Sequence, residues 1–110
     1  MTAQLELSVT HHRPTTVLKI TGELRTATAD ALTARLGELI GRGHTALTLD
    51  ASELRFCDSA GLEALLQCHD EAWKANGCLR LIGVHGALAR MLDATRAWQI
   101  FEMDDLHGLA

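Results

Sequence analysis

The run Asp58-Ser59-Ala60-Gly61-Leu62-Glu63 sets a hydroxyl beside a carboxylate, at the point where an apolar helical pattern begins. A serine so placed has two possible employments. It can cap the helix, because the first backbone N–H groups of a helix lack intrahelical acceptors and Ser or Asp readily supplies one. Or it can be a nucleophile. The nucleophile elbow G-x-S-x-G requires glycine two residues before the serine, and this chain has Cys57 in that place. With no deep pocket or base in evidence, a serine hydrolase is the remote reading, and no catalytic residue is expected.

Other reactive side chains point to structure. His11 and His12 read as turn residues, since adjacent imidazoles do not converge on one metal without a third ligand. His69 falls on an apolar helical stripe and reads as a half-buried core histidine. Cys57, Cys68 and Cys78 are odd in number and lack C-x-x-C spacing, so neither a disulfide framework nor a zinc site is expected. The thiol of Cys57, next to Asp58, should not be activated. Trp73 and Trp98 read as core or edge anchors.

The elements that must position Ser59 follow from periodicity. Leu5, Leu7 and Val9 alternate with polar residues, giving a half-buried strand. The polar turn His11-His12-Arg13-Pro14 leads to a β-branched strand over Val17 to Thr21, and so short a connection implies a hairpin. After Gly22-Glu23-Leu24 a helix begins near Thr26 or Thr28, either of which can cap it. Its stripe is Leu32, Leu36, Leu39 and Ile40, and Gly41 and Gly43 end it. Ala46 to Leu49 is a short strand, with Asp50-Ala51-Ser52 opening a loop.

The second helix runs from near Ser59 to Asn76-Gly77, with Leu62, Leu65, Leu66, His69 and Trp73 on one face and Glu63, Gln67, Asp70 and Lys74 on the other. A strand over Leu79 to Val84, a helix over Ala87 to Ala94 and a short strand at Ile100-Phe101 complete the order β-β-α-β-α-β-α-β. Strands alternating with helices pair in parallel, while the opening hairpin adds an antiparallel strand. The expected fold is therefore α/β, a small mixed sheet covered mainly by helices.

Composition restricts the partners. At 110 residues the chain suits one domain, 1–110. Its apolar fraction of 47% and charged fraction of 22% are those of a soluble globular protein. A net charge of −4 without any basic cluster argues against a nucleic-acid surface. The first residues show no positive region followed by an apolar one, and no stretch approaches the roughly 20 apolar residues of a membrane span. With its cysteines read as reduced thiols, the expected location is the cytoplasm.

Asp50-x-Ser52 followed by Phe56-x-Asp58-Ser59-Ala60-Gly61-Leu62 resembles the signature of the STAS domain family. Bacterial anti-sigma-factor antagonists of that family carry D-S-[SA]-G-L after the same strand. Gly22-Glu23-Leu24, the helix after it and Leu88-x-x-Met91-Leu92 fall in the family's order, so the resemblance extends over nearly the whole chain. It implies that Ser59 is the phosphorylation site. It also implies a partner surface here of Asp58, Ser59, Ala60, Gly61, Leu62 and Glu63 with Glu23 and Arg25.

The implied partner is an anti-sigma factor with serine-kinase activity. It would be bound while Ser59 is unmodified, releasing a sigma factor, and a PP2C-type phosphatase would reset the serine. ATP and magnesium belong to the kinase, so the chain needs no cofactor or metal of its own. Two residues depart from the family's habit: Arg25 where an acid often follows G-E-L, and Glu63 where a small residue is usual. They leave room for a second role, a STAS scaffold or accessory subunit of a larger signalling or transporter complex.

Overall fold

The alternation of Leu5, Leu7 and Val9 folds into β1, Leu5–His12, which pairs antiparallel with β2, Thr15–Leu24. The structure, a computed structural model, describes residues 5–101. The chain continues through α1 (Ala29–Gly41), β3 (Ala46–Cys57), α2 (Ser59–Lys74), β4 (Cys78–Ile82) and α3 (Gly86–Thr95). The sheet order is β1-β2-β3-β4, with β2–β3 and β3–β4 parallel. The expected mixed sheet is therefore present.

Buried positions alternate along β2 as Thr16, Leu18, Ile20, Gly22 and Leu24, so one face of the sheet takes the core. Leu18 and Leu49 meet Leu32 and Leu36 from α1, Leu65 from α2 and Leu92 from α3 in one cluster of side chains no more than 1% exposed. Each such leucine contributes about 1.5–3 kcal/mol relative to remaining in water.

Several boundaries differ from the sequence expectation. His11 and His12 belong to β1, and the turn is confined to Arg13-Pro14, because His11 and His12 pair with Thr16 and Thr15. β2 runs on through Gly22-Glu23-Leu24, since β3 continues beside it. The anticipated loop at Asp50-Ala51-Ser52 is strand, although an irregular one. Lys19 faces Asp50 and Thr21 faces Glu53; Gly22 then faces Leu54 and Glu23 faces Phe56. β3 thus holds an extra residue at two places. Its burial period slips from Leu47, Leu49 and Ala51 to Leu54 and Cys57. The Asp50 carboxylate accepts the Ser52 N–H at 2.9 Å, which supports the irregular backbone locally. The same bond holds the Asp50 carboxyl below its ordinary range.

On α2 the buried residues include Ala64, Cys68 and Ala72, while Trp73 is 41% exposed. β4 stops at Ile82, where Gly83 turns the chain with φ +68°. The final strand anticipated at Ile100-Phe101 is instead a helical turn over 98–101, with Phe101 buried in the core.

Candidate functional site

Asp58, not Ser59, is the N-cap of α2. Its backbone is extended, and its Oδ1 accepts the Gly61 N–H at 2.9 Å. Its Oδ2 also faces the Thr26 N–H at 3.4 Å, and its own N–H donates to the Leu24 carbonyl at 3.1 Å. One residue therefore joins the start of α2 to the end of β2 and to the loop before α1. Because the cap is supplied by Asp58, the Ser59 hydroxyl is not committed to it. Ser59 is exposed at the first position of the helix.

Gly61 explains the spacing of the motif. A Cβ at this position would stand 2.5 Å from the Leu24 carbonyl oxygen and 2.9 Å from the Cys57 Sγ. Only glycine lets the first turn of α2 lie this close to the end of β2. Leu62, one residue on, is 6% exposed and belongs to the core cluster. Ala60 is half-buried and Glu63 is exposed. Glu63 follows Ser59 by four residues, so the two share a helical face.

The strand register brings the second predicted segment alongside. Glu23 faces Phe56 and Leu24 faces Cys57 across the β2–β3 ladder. Arg25 places one guanidinium nitrogen 3.2 Å from the Glu23 carboxylate and its guanidinium carbon over the Phe56 ring, 4.9 Å from the ring centre. Thr28 occupies the N-cap position of α1, but its hydroxyl does not cap that helix as expected. It accepts the Arg25 N–H at 3.0 Å and donates to the Glu23 carbonyl at 2.8 Å, closing the loop that carries Arg25.

Phe56, 38% exposed, belongs to this surface and was not among the residues singled out for it. The signal was its position two residues before Asp58, but its outward direction depends on the slipped burial period of β3.

The arrangement is an exposed surface with the Ser59 hydroxyl at a helix N-terminus, flanked by Asp58, Glu63 and the Glu23–Arg25–Phe56 group. His69 lies ten residues along α2, about 15 Å down the axis, packed against Trp73 and Phe101 with ring centres at 6.0 and 5.6 Å. His85 is bound at 3.1 Å to the Ser52 carbonyl. Desolvation and then the Asp58 charge push the Cys57 thiol up to about 11, so it is held as the unreactive thiol. Among the described residues no group of His, Cys, Asp or Glu converges to hold a metal ion.

Residues 7–102 match a family model described as Mlab, STAS domain. An anti-sigma F factor antagonist of Paenibacillus polymyxa is 26% identical over 102 residues, covering 92% of this chain and 87% of that protein. The crystal structure of an anti-sigma factor antagonist from Mycobacterium paratuberculosis superimposes with a TM-score of 0.79 at 26% identity, over 88% of this chain and 82% of that one. The Bacillus antagonist SpoIIAA, at 22% identity, superimposes in its unphosphorylated form with a TM-score of 0.66, over 81% of each chain. Its phosphorylated form does so with 0.67, over 83% of this chain and 82% of that one. The fold seen here is thus common to both forms of that protein.

Proposed function

This chain belongs to the STAS domain family, and from that premise we propose that it is an anti-sigma-factor antagonist switched by phosphorylation of Ser59. On this reading residues 1–110 form one cytoplasmic STAS domain that is a binding module and not an enzyme. The unmodified protein binds an anti-sigma factor with serine-kinase activity through Asp58 to Glu63, Glu23 and Arg25, and a sigma factor is released. The kinase transfers the terminal phosphoryl group of its ATP to the Ser59 oxygen, the hydroxyl proton leaves, and the complex dissociates. A PP2C-type phosphatase hydrolyses the phosphoserine and restores binding.

The observation that carries this reading is the division of labour at the start of α2. Asp58 holds the helix cap through the Gly61 N–H, while Ser59 stands exposed. A phosphate on Ser59 adds about −1.5 to −2 charges at a helix N-terminus without displacing the group that caps it. The fold has no reason to open, but the surface becomes more strongly negative: the new charge joins Asp58 and Glu63, and a partner that accepted a neutral hydroxyl must then desolvate several negative groups together.

The experiment is phosphopeptide mapping after incubation with the cognate anti-sigma kinase and ATP, with affinity measured before and after. Modification at Ser59 with a large loss of affinity is expected. Modification confined to Ser52, Thr26 or Thr28 would overturn the assignment. Equal affinity in both states would favour a constitutive scaffold subunit instead.

A further inference from the structure

At the opposite end of the sheet from Ser59, the hairpin turn, the first residues of β2 and the end of α1 enclose a recess of about 850 Å³. It is lined by His11, Arg13, Thr15, Thr16, Arg42 and His44, together with Pro14 and Gly43. No acidic residue is among them, although the chain as a whole carries a charge of −4. A carboxylate stands beside it: Glu38 on α1, whose oxygens are 3.9 Å from both Arg35 and Arg42 and which lines a smaller neighbouring recess with His11 and Arg42. The His11 and His44 rings lie with centres 4.6 Å apart. His11 Nδ1 is 3.2 Å from the Thr16 hydroxyl, so its Nε2 is the nitrogen left to meet a ligand. Thr16 is only 3% exposed, which fixes that ring from below.

We propose that this recess is a binding site for a phosphomonoester dianion, carried by a small phosphorylated molecule. Two guanidinium groups supply charge-assisted, fork-like donors, two imidazoles supply N–H donors, and the Thr15 hydroxyl supplies a further one. The volume falls within the usual range for small-molecule sites, about 300–1,000 Å³, and exceeds what a bare phosphate fills. Two imidazoles without a carboxylate make a poor metal site but a fitting anion site. The site is independent of Ser59: Thr16 and Leu24 are eight residues apart along β2, about 27 Å.

The test is titration of the ¹⁵N-labelled chain with inorganic phosphate and, separately, with phosphoserine, at ionic strength matched by sodium chloride. Saturable amide shifts confined to residues 11–16 and 42–44 are expected, with half-saturation at about 1 mM or below. Arg13→Ala, at an exposed turn, and Arg42→Ala should each weaken binding about tenfold with an unchanged circular dichroism spectrum. Ser59→Ala should bind as the parent does.

Equal affinity for the two probes would mean that the phosphate group alone is recognised. Tighter binding of phosphoserine would mean that the remaining volume is used. Either result supports the site. No saturable shift, shifts equally produced by chloride, shifts spread to Lys74 and Arg90, or affinity unaltered in Arg13→Ala and Arg42→Ala would overturn it.

Discussion

At the scale of single residues, Asp58 holds the helix cap while Ser59 stands exposed beside it. Asp58→Ala removes the acceptor for the Gly61 N–H and the contact with Thr26. Loss of an N-cap costs about 0.5–2 kcal/mol, so chemical denaturation should show a deficit of about 1–2 kcal/mol, largely absent in Asp58→Asn. Ser59→Ala should cost under about 0.5 kcal/mol, as an exposed substitution away from any cap. It should keep partner binding and abolish the response to the kinase. A Ser59→Ala protein that melts like Asp58→Ala would show that the cap is shared.

On the proposed reading, Glu63 should set the strength of the Ser59 switch. Measured affinities of phosphorylated and unmodified protein, each with Glu63 intact or as Glu63→Ala, should give a smaller phosphorylation penalty in the alanine variant. The expected coupling is about 0.5–3 kcal/mol, because the two charges lie one turn apart. An identical penalty in both backgrounds would make Glu63 a bystander.

At the scale of elements, the site exists because α2 starts within touching distance of the end of β2, and two glycines separate close approach from simple helix propensity. Gly61→Ala should destabilise by about 1–3 kcal/mol, because the new methyl meets the Leu24 carbonyl oxygen, a backbone atom that cannot swing aside. Gly37, inside α1, has nothing within 4 Å of a Cβ. Gly37→Ala should therefore stabilise by about 0.5–1 kcal/mol, the ordinary gain for glycine replaced in a helix. Urea unfolding of both variants reads the contrast directly. If both are stabilised, the β2–α2 contact is looser than described.

At the scale of the whole molecule, the buried thiols tie stability to alkaline pH. Desolvation, aided by Glu71, pushes Cys68 from an ordinary 9.0 up to about 12, and Cys57 is raised to about 11. Both folded-state values lie above the unfolded ones. The unfolded chain therefore loses these protons first, and stability falls as pH rises. The contribution is fully present below about pH 9 and is lost progressively up to about pH 11–12. Unfolding free energies measured from pH 8 to 11 should decline, and Cys68→Ala should decline less steeply than the parent. Equal slopes would show that Cys68 is not desolvated as its burial implies.

The helical stripe of α2, the alternation in β1 and the order of strands and helices were legible in the sequence, because helix and strand periods are local properties set by the backbone's own geometry. Ser59 at a helix start and its D-S-A-G-L setting were legible for the same reason.

Tertiary structure alone decided the rest. Asp50 and Ser52 look like loop residues, yet they lie in β3 because pairing with β2 outweighs their local preference, and two extra residues absorb the mismatch. That slip turns Phe56 outward, where Arg25 lies over it, and no periodicity announces a contact between residues 31 apart. Ile100 and Phe101 read as strand by composition, but residues 98–101 are helical and Phe101 packs into the core. The choice of Asp58 over Ser59 as the cap was equally non-local. Either side chain can satisfy a helix start, but only the Asp58 carboxylate also faces the Thr26 N–H in the loop before α1, and that partner arrives with the fold.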